Sequence, residues 1–167
     1  MFLLLKFSIM KKITFVLLLL SFSFSFAQKI PDLDLKSLDG KIVNVNKISN
    51  SDTIKVFSFW ATWCVPCINE LDAISDVYED WQDETNVELI AVSTDDSRTK
   101  KRVKPMVNGK GWEYTILLDN NQEFKRALNI TTMPHIVVVK NGEIIHRHSG
   151  YTPGSENELY EVIKNSL

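Results

Sequence analysis

Apolar residues along this chain change their spacing in a way that separates strands from helices. Thr53 to Trp60 (TIKVFSFW) alternates and then runs continuously apolar, the pattern of a central strand covered on both faces. From Pro66 on, Ile68, Leu71, Ile74, Val77, Tyr78 and Trp81 recur at threes and fours, which predicts a single helix of about four turns. Val87 to Ser93 (VELIAVS) is a second central strand and Tyr114 to Leu118 a shorter one. Between these two, Asp96 or Ser97 can cap a polar helix that runs toward Asn108-Gly109 and is interrupted at Pro105. Glu123 to Leu128 is a short helix, and Ile136 to Val139 with Glu143 to His148 forms a hairpin through Lys140-Asn141-Gly142. Glu156 to Leu167 closes the chain as an amphipathic helix. Upstream, the turn Leu38-Asp39-Gly40-Lys41, with Ile42, Val43 and Val45 behind it, predicts an N-terminal β-hairpin. Strands alternating with helices and ending in an antiparallel pair indicate an α/β protein with a mixed central sheet flanked by helices.

The first 27 of the 167 residues follow a different rule: they hold three lysines, no acid and six of the nine phenylalanines. Lys11 and Lys12 precede the apolar run Ile13 to Leu20, and Ser25-Phe26-Ala27 places small residues where a signal peptidase would cut before Gln28. This predicts a secretory signal peptide over 1–27 and a single domain over 28–167, with translation starting at Met1 or Met10. An uncleaved anchor is the less favoured reading, because the apolar stretch falls short of the ~20 residues a bilayer needs. The expected location is the periplasm, an oxidising space in which cysteines pair. Without its leader the domain keeps 16 of the 19 basic residues against 21 acidic ones, a net charge of −5. A mildly acidic chain whose one basic cluster, Lys100 to Lys104, follows Asp95 and Asp96 is not expected to bind nucleic acid.

The two cysteines, Cys64 and Cys67, stand three apart where the Thr53 to Trp60 strand gives way to the helix. A thiol at a helix N-terminus meets unpaired backbone N–H groups and the positive end of the dipole, which favour thiolate. Cys64 is the expected nucleophile. Cys67, one turn further in, can attack the mixed disulfide that Cys64 forms, so the pair moves two electrons without a cofactor. Pro66 fits a first helical turn, where its missing N–H is harmless and its fixed φ stiffens the short ring. A structural disulfide is a weak alternative, since so short a loop constrains the unfolded chain little.

The segment Phe59-Trp60-Ala61-Thr62-Trp63-Cys64-Val65-Pro66-Cys67 resembles the active-site segment of thioredoxin-fold proteins, and Thr132-Met133-Pro134 resembles the loop holding that fold's cis-proline. Glu70, the extra αβ segment from Val87 to about Leu118 and the exported N-terminus resemble the TlpA/ResA-type periplasmic thiol-disulfide oxidoreductases. The resemblance spans about Ile30 to Leu167 and implies a thioredoxin-like fold with a central αβ insertion. It implies a cis peptide at Pro134 that presents the Met133 backbone to a substrate chain as an extra strand. Trp63, Val65 and Pro66 would join Met133 and Pro134 in contacting substrate. Val65-Pro66 replaces the Pro-His dipeptide of strongly oxidising relatives, which implies a lower potential and a reductase role.

Two positions depart from plain thioredoxins. Ser58 stands where they carry a buried Asp, six residues before the nucleophile, so the proton acceptor must lie elsewhere. Glu70 lies three residues beyond Cys67 on the same helix face, and burial beside an apolar sheet would raise its pKa toward that of a thiol base. Asp72 occupies the place of a helix-kinking proline, which puts the kink in doubt and not the chemistry.

The expected partners are protein thiols and disulfides, with cysteines of apocytochrome c suggested by the resemblance, and a membrane electron carrier for re-reduction. The protein is expected to act as a monomer, with no cofactor and no metal. Two other functions remain open: a copper- or zinc-delivery protein using the CxxC and His135, and a thiol peroxidase. The peroxidase reading lacks an Arg near Cys64 in sequence.

Overall fold

The structure, a computed structural model, describes residues 28–167. The expected leader over 1–27, its cleavage before Gln28 and the start at Met1 or Met10 lie outside the described residues. Strand β1 (Asp34–Ser37) and strand β2 (Ile42–Asn44) pair antiparallel around the turn at Gly40, whose φ of +83° belongs to the left-handed region open to glycine. Val45, read from its apolar character as part of that hairpin, instead opens a short helix α1 (Val45–Ser49). Asn44 explains the difference, because its side chain accepts the Lys47 N–H and so starts a helix at the strand's end.

Strand β3 (Lys55–Trp60) leads to helix α2 (Val65–Ser75), helix α3 (Tyr78–Thr85) and strand β4 (Glu88–Ser93). A 3₁₀ turn (Lys100–Arg102), helix α4 (Val103–Lys110) and strand β5 (Thr115–Leu118) form the insertion. Helix α5 (Glu123–Ala127), strands β6 (His135–Lys140) and β7 (Glu143–Ser149), and helix α6 (Ser155–Lys164) complete the chain. Seven strands make one sheet in the order β2-β1-β5-β4-β3-β6-β7, with β3, β4 and β5 parallel and the outer pairings antiparallel. The β6–β7 hairpin turns at Asn141-Gly142, both at positive φ, as a two-residue turn matching the sheet twist requires.

The helices differ from the sequence pattern in three places, one being that α4 begins at Val103 after the 3₁₀ turn and not at a cap on Asp96 or Ser97. The single helix expected from Pro66 through Trp81 divides at Asp76-Val77, where Val77 N–H bonds the Ile74 carbonyl at 3.1 Å and tightens the last turn of α2. Periodicity survives such a break because both halves still face the sheet, and α3 gains a separate tilt from which the Tyr78 hydroxyl accepts the Leu89 N–H at 2.9 Å. Pro105 does not interrupt α4. It sits in the first turn, where backbone N–H groups have no intrahelical partner to lose, and the helix runs on to Gly111.

All six residues of β3 are buried, as a strand covered on both faces demands. One face packs Val56, Trp60, Cys64, Cys67, Leu71 and Ile74 with Ile136 and Val138. The other packs Phe57 and Phe59 around Phe124, with ring centroids 5.4 and 5.1 Å apart. Lys55 is buried too, but it stands at the start of the strand, where its ammonium pairs with Glu88 at 2.5 Å, directly opposite at the start of β4. Because Phe124 fills the space between two strand residues and is fully buried, Phe124→Ala should destabilise the domain by about 3–5 kcal/mol. Urea denaturation would measure this, and a loss below about 1 kcal/mol would show that the layer repacks around the void.

Candidate active site

Where β3 ends, the chain makes a tight turn closed by Cys64 N–H to the Ala61 carbonyl at 3.0 Å and then enters α2. Asp95, just past the end of β4, holds this turn from below. Its fully buried carboxylate accepts the Thr62 N–H at 2.9 Å, the Thr62 hydroxyl at 2.6 Å and the Ser93 hydroxyl at 2.9 Å. Three donors offset much of the desolvation of a buried carboxylate and fix the backbone two residues before Cys64. Asp95 belongs to no motif in the sequence; an acid at the end of an otherwise apolar strand is the signal that marks such a clamp.

Cys64 is the N-cap of α2 and makes no side-chain cap hydrogen bond; Cys67 lies within the first turn, and the two are joined as a disulfide. Cys67 is inaccessible, whereas Cys64 retains 7% of its surface. Trp63 and Val65 on either side of Cys64 are 58% and 65% exposed, and Pro66 is exposed with them, so an apolar rim surrounds a largely buried disulfide. Facing it, the Met133–Pro134 peptide is cis, with Pro134 buried and Met133 half-buried. The Thr94 hydroxyl donates to the Trp60 carbonyl at 3.1 Å and approaches the Met133 sulfur at 3.3 Å, linking the proline loop to the end of β3. Trp60 is buried and packs edge-on against Trp112 of the insertion.

Glu70 is 3% exposed, and its carboxylate accepts the Ser58 hydroxyl at 2.9 Å. Burial pushes its pKa up to about 7, and the Ser58 hydrogen bond opposes that shift without cancelling it. Ser58, which stands where plain thioredoxins carry an Asp, and Glu70 therefore meet in one buried hydrogen bond. Asp72 leaves α2 helical and ties it to the insertion: its carboxylate accepts the Trp112 indole N–H at 3.0 Å and pairs with Lys110 at 2.5 Å.

His135 does not join this group. It pairs in register with Phe59, which puts its ring on the Phe124 face of the sheet, opposite the face that packs Cys64 and Cys67. Both ring nitrogens are buried without a hydrogen-bond partner, and burial holds its pKa below the ordinary histidine value. The convergence of CxxC and His135 required by the metal-delivery reading is absent from this arrangement, because successive residues of β6 alternate faces. Among the arginines, Arg98 pairs with Asp96, Arg126 donates to the Asn121 carbonyl and Arg147 to the Leu128 carbonyl.

The AhpC/TSA family model matches residues 26–148. Thiol-disulfide oxidoreductase ResA of Bacillus thuringiensis (strain Al Hakam) is 25% identical over 134 residues, 80% of this chain and 75% of that protein. A thioredoxin-like protein of Porphyromonas gingivalis has a solution structure that superposes with a TM-score of 0.73 at 47% identity, covering 85% of this chain and 93% of the other. The crystal structure of StoA from Bacillus subtilis, at 23% identity, shares the fold with a TM-score of 0.65 over 81% of this chain and 98% of its own. A CxxC disulfide at the start of a helix, opposite a cis-proline, thus recurs on a chain that aligns with such enzymes along most of its length: it belongs to the AhpC/TSA family and is a TlpA/ResA-like thiol-disulfide oxidoreductase of the thioredoxin superfamily.

Proposed function

We propose that residues 28–167 are an exported, monomeric protein-disulfide reductase, released into the periplasm by cleavage of a signal peptide over 1–27. The observation that carries the mechanism is the alignment on one helix of a disulfide at the N-terminus and a buried, hydroxyl-bonded carboxyl one turn behind it. Cys64 attacks a substrate disulfide, since of the two cysteines it alone retains exposure and it stands at the positive end of α2. Cys67 then attacks Cys64 within the mixed disulfide, re-forming the bond and releasing the substrate thiol. Glu70 accepts the Cys67 proton at that step, its pKa of about 7 suiting a base for a thiol near neutral pH. Trp63, Val65, Pro66 and Met133 form the apolar surface on which the substrate chain lies, extended along the Met133 backbone that the buried Pro134 holds in place.

The absence of a histidine between the cysteines supports a reducing potential and hence a need for electrons from a membrane carrier. Cysteines of apocytochrome c are the substrate that the relatedness to ResA suggests. The AhpC/TSA match gives a second reading, thiol peroxidase, some weight. Consumption of hydrogen peroxide by the reduced protein at a rate comparable to its disulfide exchange would favour it.

Cys67→Ala should accumulate mixed disulfides through Cys64 that the parent resolves, visible on non-reducing gels after reaction with a reduced-and-oxidised protein mixture. Adducts that form on Cys64→Ala and not on Cys67→Ala would reverse the roles. Titration against glutathione should place the potential nearer the roughly −270 mV of thioredoxin than the roughly −120 mV of DsbA, and a value above about −170 mV would indicate an oxidase.

Glu70 also predicts a pH dependence of stability. Its folded pKa of about 7 lies above the ordinary 4.5, so the folded state binds the extra proton between those values. The stability associated with that proton is complete below pH 4.5 and is lost as pH rises through 7, a change on the order of 3 kcal/mol. Glu70→Gln should remove this slope from urea unfolding of the oxidised protein, while slowing resolution of mixed disulfides by about 10²-fold. An unchanged slope in Glu70→Gln would mean that another group carries it.

A further inference from the structure

Glu70 lies at the inner wall of a cavity of about 120 Å³ between the sheet and α6, shared with Ile136, His148, His146, Tyr151 and Glu156. Its volume admits a few water molecules. Strand register explains how these groups meet. Ser58 on β3 pairs with Ile136 on β6, and Ile136 pairs with His148 on β7, so the three side chains stand in one row on the same face of the sheet. Glu70 bonds the first member of that row, and His148 occupies its outer end, two strands away and half-buried. His146, two residues earlier on β7, shares the face, and the Tyr151 hydroxyl donates to Glu156 at 3.2 Å nearby.

A proton taken up by Glu70 must leave before the next turnover, and Glu70 is 3% exposed, with this cavity as the space its side chain borders. We propose that His148 is a proton-relay residue, carrying the proton between the Glu70 carboxyl and solvent through water in this cavity and so away from the face on which substrate binds. This rests on the reading of Glu70 as the proton acceptor. The balance is complete. Cys67 gives its proton to the Glu70 carboxylate, and the thiolate attacks the Cys64 sulfur. The Cys64–substrate bond breaks as Cys64–Cys67 forms, and the substrate sulfur leaves with the electron pair. Glu70 then passes its proton through a water chain to a ring nitrogen of His148, whose other nitrogen releases one to bulk water.

Titratable groups facing Glu70 come from every element around the cavity: His146 and His148 from β7, Tyr151 from the connection to α6, and Glu156 and Glu158 from α6. The field between them is felt on both sides. Tyr151 is raised by burial and by the Glu156 and Glu70 charges, and His146 is lowered by burial and by His148. Neither Tyr151 nor Glu156 belongs to the row that begins at Ser58, which is why His148 is assigned the relay.

The test is a single-turnover reaction of the reduced protein, in excess, with an aromatic disulfide that releases a coloured thiolate at each of two steps, run at pH 6, where Glu70 starts protonated and must pass its proton to solvent before it can take one from Cys67. The first release reports attack by Cys64 and the second reports resolution by Cys67. In His148→Ala the second phase should slow by about tenfold, less than the effect of removing the base itself, while the first phase keeps the parent rate. Imidazole added as buffer should restore the second phase in His148→Ala, and His148→Gln should remain slow although it fills the site. A second phase at the parent rate at that pH in His148→Ala, with Glu70→Gln slow, would overturn the relay and leave Glu70 in place. A slow His148→Ala that imidazole does not restore, with His148→Gln at the parent rate, would assign the effect to packing and equally overturn it. Parent rates in both Glu70→Gln and His148→Ala would remove the proton acceptor and the relay together.

Discussion

A carboxyl group withdrawn from water against the sheet is the constraint on which the proposed chemistry of this domain depends. Desolvation of Glu70 outweighs the hydrogen bond from Ser58, and the net result is an acid whose pKa of about 7 lies where a thiol base can use it. Nothing in the glutamate itself sets that value. It follows from the packing of α2 against β3 and β6, with Leu71 and Ile74 of the same helix fully buried beside it. The apolar layer that stabilises the fold thus also tunes the acid, so the two properties cannot be varied independently.

One helix carries both electrostatic conditions of the exchange. At its N-terminus, unpaired N–H groups and the dipole favour negative charge on Cys64. One turn into the interior the dielectric reverses the preference, and the neutral acid is favoured at Glu70. The separation has to be held rigidly to be useful, and Asp95 supplies the rigidity at the entry to α2 through Thr62, while Asp72 anchors the helix to the insertion through Trp112 and Lys110. In this arrangement the αβ insertion is a brace for the active-site helix as well as an extension of the sheet.

Much of this was legible in the residues. The apolar runs located β3, β4 and β6, and the paired cysteines at a strand-to-helix junction marked the site before any coordinates. Glu70 is legible from its place three residues beyond Cys67 on the same helix face, once the resemblance to thioredoxins marks Ser58 as standing where they carry an acid. Other features depend on interactions that periodicity does not encode. Val77 continues the apolar rhythm of α2 while its backbone departs from it, so the break into α3 leaves no trace in the pattern. Pro105 reads as a breaker until the helix is known to begin at Val103. His135 sits next to the cis-proline in sequence, yet strand alternation turns its ring to the far face. His148 is unremarkable in sequence; only the pairing of β6 with β7, fixed by the Asn141-Gly142 turn, sets it in line with Ser58.

The most direct measurement is a titration of the Glu70 carboxyl carbon by NMR in the oxidised protein, with Glu70→Gln used to assign the resonance. The account predicts a midpoint near 7, in step with the loss of stability over the same range. A midpoint near the ordinary 4.5 would show a solvated carboxylate and contradict the assignment of Glu70 as the base for Cys67.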